Sequence, residues 1–311
     1  MKRKVIQIAN STQLVSLPRK WCKKLNIKKG DEIDIQEKGS QLVVSTKGSK
    51  EGETIELDVT HLEPMTARII HAMYKRGIDE IKCNFEKQAE LEKVQKALGK
   101  ETVGYEIVEQ GKNYCVIKNV SGDLEDFDPI LRRIFLLLIS MAEEGLAALK
   151  AKDTTALKTL IPMEESNNRF TTTCRRYLNK KGHSSAAVVG PLYYIIEDLE
   201  NIADQYKYLY TYFSSTGFKK MKISDSTLKY FEKTTQIIYK YYDLFYKPDK
   251  EKIAEVGKMR KELVKEWYSM LGKMKEPADI IICQNMLTIV QKIFNLTGPY
   301  LSFSTELKLR R

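Results

Sequence analysis

The sequence is poor in the residues that build disulfide frameworks, metal fingers and catalytic triads, with 5 cysteines and 3 histidines in 311 residues. Cys22, Cys83, Cys115, Cys174 and Cys283 lie far apart, in odd number and without a C-x-x-C pair. Neither a disulfide scaffold nor a thiolate zinc site is indicated, and reduced, mostly buried thiols are expected. His61, His71 and His183 complete no Glu-x-x-His motif of the di-iron type and read as cap, surface or packing residues. A glycine-rich phosphate loop and a nucleophile–base pair are also missing, so the chain is not expected to be an enzyme. The longest apolar run with few interruptions, residues 134–142, falls far short of the roughly 20 residues that cross a bilayer, and no membrane span is expected. Met1-Lys2-Arg3-Lys4 leads straight into a short alternating stretch instead of an apolar leader. A cytoplasmic location is the expectation.

What is present is positive charge, unevenly placed. The chain carries 52 Lys and Arg against 41 Asp and Glu, a formal +11. Residues 1–50 hold 12 basic against 4 acidic side chains, whereas residues 51–118 hold 10 against 13. A local excess of this size is the electrostatic footprint of a polyanion-binding surface, although solubilising lysines leave the same trace.

The patterning divides the chain in three, a multidomain α+β organisation. In residues 1–50 short strands are expected at 5–8, 14–17, 31–35 and 41–45, with a helical turn over 18–25 opened by Pro18 and a hairpin signal at Lys38-Gly39. Residues 51–120 alternate as a small α/β domain: strand 54–58, helix 61–76, strand 78–83, helix 86–98, then a strand pair at 103–108 and 114–120. Residues 121–311 are helical throughout, a tandem of two three-helix bundles at 125–215 and 222–303. Pro162 is expected to kink the second helix of the first bundle. The tyrosines of Tyr206-Lys-Tyr-Leu-Tyr-Thr-Tyr212 and Tyr239-Lys-Tyr-Tyr242 are expected to fill a bundle interface, with a nucleotide-stacking platform as the alternative.

At residues 3–46 the sequence, Arg-Lys-Val-Ile-Gln-Ile through Ser-Leu-Pro-Arg-Lys-Trp-Cys-Lys-Lys-Leu to Lys-Lys-Gly-Asp-Glu-Ile, resembles the AbrB/SpoVT/MazE-type DNA-binding domain. The marks are a strand ending in Leu-Pro, a short basic helix and Lys-Lys-Gly-Asp-Glu before a strand. The resemblance implies a swapped-hairpin β-barrel shared by two chains, hence a homodimer or higher homo-oligomer, with DNA as partner. About 45 residues bury too little surface to stand alone, which points the same way. Arg3, Lys4, Arg19, Lys20, Lys23 and Lys24 are the candidate DNA contacts. Such residues mostly position a protein on phosphates.

In its order of modules the whole chain is similar to archaeal PhoU-type phosphate uptake regulators, through Ala67 to Lys82, Gly104 to Gln110 and Tyr194-Ile-Ile-Glu-Asp-Leu-Glu-Asn-Ile-Ala-Asp204. That resemblance implies a regulator of phosphate uptake and homeostasis. It leaves open an adaptor for a phosphate transporter ATPase or sensor kinase that does not bind DNA. PhoU-like bundles carry E(D)-x-x-x-D motifs that can hold a metal. Here Glu200-x-x-x-Asp204 is complete, while the facing helix offers Glu164-x-x-x-Asn168. Spacing of four puts each pair on one helical face, where iron, zinc or another divalent cation could sit. The alternative is a carboxylate face paired with Lys or Arg of a neighbouring helix. In the second bundle Gln291 and Asn295 stand in the corresponding places, opposite about Arg260 and Val264, and no metal is expected there.

Overall fold

The computed structural model describes residues 2–8, 12–38, 41–45, 54–122, 124, 126–183, 185–215 and 217–304. The head contains two separate antiparallel hairpins: β1 (Ile6–Ile8) with β2 (Thr12–Leu14), and β3 (Asp34–Lys38) with β4 (Gln41–Ser45). A short helix, α1 (Arg19–Lys24), lies between them. Two strands sit about three residues from their expected places. Pro18 ends the first hairpin's partner early, because residues up to it are extended lead-in to α1. At the other end Gly30 takes φ +93°, and the Asp31 side chain accepts from the Lys28 amide at 2.7 Å, so residues 28–33 form a turn before β3. Of the Lys38-Gly39 hairpin signal, Gly39 lies outside the described residues, and Lys38 pairs with Gln41.

No described head residue is buried. Val5, Ile6, Ile35 and Leu42 are 64%, 57%, 60% and 69% exposed. Among the described residues a single chain forms a small β region of two hairpins here.

The middle domain is a four-stranded sheet ordered β5-β6-β8-β7 under two helices. β5 (Thr54–Asp58) runs parallel to β6 (Glu80–Asn84) through α2 (Thr66–Arg76). After α3 (Gln88–Glu101), β7 (Tyr105–Gln110) and β8 (Tyr114–Asn119) return as a hairpin, with β8 antiparallel to β6. α2 starts five residues later than its periodicity suggests. His61 has a positive φ, and the residue before Pro64 is steered away from helical backbone. Gly77, at φ +103°, ends α2 and turns the chain into β6. Glu90 binds the start of α3 to the loop before α2: its carboxylate accepts from the Glu86, Lys87 and His61 amides at 2.9, 3.0 and 2.9 Å. Those three donors hold its pKa down at about 2. Ile70, Tyr74, Ile81, Cys83, Leu91, Val94 and Ile117 form the domain's core. The cysteines are free, and all but the half-buried Cys22 are buried.

The helical body consists of α4 (Phe127–Ala151), α5 (Thr154–Lys181), α6 (Ala186–Ser215), α7 (Asp225–Tyr246), α8 (Lys250–Leu271), α9 (Pro277–Asn295) and α10 (Thr297–Phe303). Side-chain caps start several of them. Asp153 accepts from the Thr155 and Ala156 amides at 2.9 and 3.0 Å, Ser224 from Thr227 at 3.3 Å and Asp249 from Glu251 at 2.6 Å. α5 continues through Pro162, which lies on its exposed side.

The two triplets do not keep separate interiors. One apolar cluster runs from Phe127 to Tyr300, joining α4 and α6 to α7, α9 and α10. The tyrosines occupy this junction. Tyr206 packs 6.1 Å from Phe231, and Phe135 lies 6.1 Å from Tyr241. The Tyr239 hydroxyl donates to Glu143 at 2.5 Å and Arg132 donates to Tyr242 at 2.9 Å. Residues 277–303 are long and apolar enough to cross a membrane by length and composition, with mean hydropathy 1.2. A search for unbroken runs passes over this stretch, because Asp279 and Lys292 interrupt it. Ile282, Met286, Ile289, Val290 and Ile293 are buried in the body's core.

Close packing at α4 gives one stability prediction. A Cβ on Gly145 would run into the hydroxyl and ring of Tyr210, which is fully buried and donates to the Met141 carbonyl at 2.5 Å. Alanine's helix advantage of about 1 kcal/mol is smaller than the overpacking cost plus the disturbed hydrogen bond. Gly145→Ala is expected to lose about 1–3 kcal/mol. Urea denaturation checks this, and a variant as stable as the parent would contradict the packing.

α5 also anchors the middle domain. Arg176, 4% exposed, donates to the Tyr74 and Ile78 carbonyls at 3.0 and 2.6 Å and pairs with Asp79. Its guanidinium lies 4.9 Å from the Tyr74 ring centroid and 5.8 Å from that of Tyr105. Lys180 reaches Asp79 at 2.8 Å, and Thr172 donates to the Glu101 carbonyl at 2.6 Å.

Candidate functional site

In the head, α1 is short because Pro18 opens it and Leu25 and the left-handed Asn26 close it. Over its six residues, positions 19, 20, 23 and 24 share one side, so Arg19, Lys20, Lys23 and Lys24 are all exposed together. Trp21 and Cys22 turn to the other side and are half-buried. Arg3 and Lys4 are exposed just ahead of β1. Among the described residues no ion pair involves a cation of the head, and the first acidic partner along the chain is Glu56. The arrangement offers uncompensated positive charge beside exposed apolar strands.

The second candidate set lies on the seam where α5 and α6 run antiparallel. Glu164, 3% exposed, accepts from the Asn168 amide at 2.6 Å and from the Lys207 ammonium at 2.8 Å. Lys207 also reaches Asp204 at 3.1 Å. Two turns along, Glu200 accepts from the Thr171 hydroxyl at 2.5 Å and pairs with Arg175, whose fully buried guanidinium also binds Glu197. Burial pushes the Glu164 carboxyl above its usual range, against the pull of Lys207 and Asn168. Burial alone would lower Lys207. The hydrogen bonds to Glu164 and Asp204 outweigh it and hold the ammonium above its ordinary value.

Glu164, Asn168, Glu200 and Asp204 thus share one seam, but they are divided between two cationic side chains. Among the described residues no group of three or more His, Cys, Asp or Glu converges as a metal site requires. The residues present do not fit a bound metal. In the second triplet Arg260 lies 5.1 Å from the Phe294 ring centroid, and Gln291 and Asn295 bring no carboxylate. His71 is held by the Ala97 carbonyl and Glu101, both at 2.9 Å, as a packing residue.

A search for carboxylate motifs passes over Lys207 and Arg175. Lys207 leaves a weak charge pattern, following Asp204 by three residues, whereas the carboxylate partners of Arg175 lie on the other helix, 22 and 25 residues away. Arg176 carries no such local signal, because its partners are about 100 residues away in the chain.

Residues 6–52 match the family model described as antidote-toxin recognition MazE, bacterial antitoxin. The amino-terminal region is MazE/AbrB-like. Among solved structures, the phosphate transport system regulatory protein PhoU from Streptococcus pneumoniae is similar at 15% identity and a TM-score of 0.47, over 58% of this chain and 94% of that one. This likeness of the helical region is distant and carries no further argument. No curated protein matches the chain.

Proposed function

We propose that the chain is a DNA-binding regulator whose two-chain head grips duplex DNA and whose helical body, 121–311, senses a partner or ligand. The observation that carries this reading is the head itself: a MazE-like segment with four cations on one side of α1 and apolar strands that have no core of their own. A second copy of the same segment would cover those strands and close a swapped barrel, doubling the basic surface. Arg3, Lys4, Arg19, Lys20, Lys23 and Lys24 then neutralise phosphates. The domain at 51–120 links head to body, and the work is regulatory and cytoplasmic. By its order of modules, the signal served is phosphate status, acting on uptake and homeostasis.

A salt titration of the full-length protein on duplex DNA tests the reading. Observed affinity should fall linearly in log salt, with a slope of about −0.9 for each phosphate neutralised. Arg19→Ala combined with Lys20→Ala should flatten that slope by roughly two, with little change in sequence preference. Sedimentation of the same protein should report a dimer or larger. A flat salt response, or no DNA retention in dilute buffer, would leave the head as a dimer clasp. The chain would then be an adaptor for a transporter ATPase or sensor kinase.

A further inference from the structure

We propose that Lys207 is the resident cation of the α5–α6 seam, a side chain of this protein filling the electrostatic role that a bound metal ion would otherwise fill. The inference is independent of DNA binding and concerns the helical body alone. Glu164 is almost fully buried, and its Oε1 atom takes two donors, the Asn168 amide and the Lys207 ammonium at 2.8 Å. Asp204, on the other helix, completes the bridge from the same ammonium at 3.1 Å. A carboxylate this far from water needs a positive partner, and only a cation able to reach both helices serves Glu164 and Asp204 together. Lys207 does so from α6, one turn beyond Asp204. Its side chain is 28% exposed, so water reaches the ammonium while Glu164, at 4%, stays covered.

The neighbouring pair of carboxylates repeats the arrangement with a different cation. Glu197 and Glu200 are joined by Arg175, which is fully buried and is placed by its Nε donating to the Thr171 carbonyl at 3.2 Å. The seam therefore gathers four carboxylates and supplies two cationic side chains from its own helices. A tethered ammonium has no concentration dependence and no geometric demand beyond hydrogen-bond reach. A divalent ion would have to displace it. The body is thereby made independent of metal supply, and the carboxylates around Lys207 form a cradle whose occupant is covalently attached.

Metal analysis and thermal melts of the full-length protein test this. The wild type should hold substoichiometric metal, and its Tm should be unchanged by EDTA or by added zinc, manganese or iron(II). Lys207→Met should lower Tm by at least about 2 °C. The same variant should then respond to one of those ions, gaining roughly 3–5 °C at a hundredfold excess over Kd. Lys207→Arg, which keeps the charge, should stay close to wild type and remain indifferent to metal. If Lys207→Met does not fold, the wild-type and Lys207→Arg measurements decide the matter. Stoichiometric metal in the wild type, an EDTA-induced fall in its Tm, or a Lys207→Met protein that ignores divalent ions would each overturn the proposal.

Discussion

Arg176→Met is expected to loosen the α/β domain from the helical body at a cost of about 3–5 kcal/mol, the range for removing one partner from a buried charged pair. The guanidinium satisfies two buried backbone carbonyls of the middle domain and the Asp79 carboxylate, and it lies over two tyrosine rings. Methionine can replace the packing against Tyr74 and Tyr105, but it donates nothing to the Tyr74 and Ile78 carbonyls. Hydrogen bonds to charged groups contribute about 1.5–3 kcal/mol each, so their loss outweighs the contact area that is kept. Lys180→Met is the internal control. It touches the same carboxylate, but its side chain is 24% exposed, and a pair of that kind contributes about 0–1 kcal/mol. Denaturation followed by both near- and far-ultraviolet circular dichroism should show the middle domain of Arg176→Met melting ahead of the helices. An unchanged single transition would mean that the two units are joined by their apolar contacts instead.

Arg175→Met is expected to cost a similar amount for a different reason, and the damage should fall within the body. Arg175 is fully buried and lies between Glu197 and Glu200. Its removal leaves Glu200, 17% exposed, with the Thr171 hydroxyl and only the more distant charge of Lys75. Glu197 is 46% exposed and can turn to water, so the penalty arises mainly at Glu200. Removing the carboxylate as well should repair much of the loss, because replacing a whole buried pair by apolar groups is often close to neutral. A double-mutant cycle of Arg175→Met with Glu200→Met therefore should give a positive coupling of about 1–3 kcal/mol. Additive effects would show that Arg175 stabilises the seam through something other than Glu200.

The helices of the body and the β5-α2-β6 unit were legible in the sequence because their apolar spacing is long and their caps, such as Asp153 and Gly77, are explicit. The shifts occur where a short-range rule competes with periodicity. Pro64 and the left-handed His61 delay α2, and the Asp31 turn displaces β3. How the two triplets meet was hidden for another reason. Chain order displays a repeat, yet nothing local announces that Tyr206 packs against Phe231 or that Tyr241 meets Phe135.

The candidate seam was half legible. Glu164 and Asn168, four apart on α5, meet in a hydrogen bond, whereas Glu200 and Asp204, four apart on α6, go to different cations. What governs their chemistry is the long reach of Lys207 and Arg175, and flexible cationic side chains leave only a weak sequence signal. The head is the opposite case. Its charge and the order of its elements could be read directly, whereas nothing in the sequence told that its described apolar residues stay exposed within one chain.

The single interior of the body restricts how its two halves can change. Phe231 belongs to the second triplet, but its ring is part of the wall around Tyr206 in the first. A substitution that enlarges or trims either residue must be absorbed on both sides of the seam between repeats. The two halves are therefore constrained by one another at this contact. Neither could be exchanged for a foreign copy without exposing an oily face where its sister used to lie.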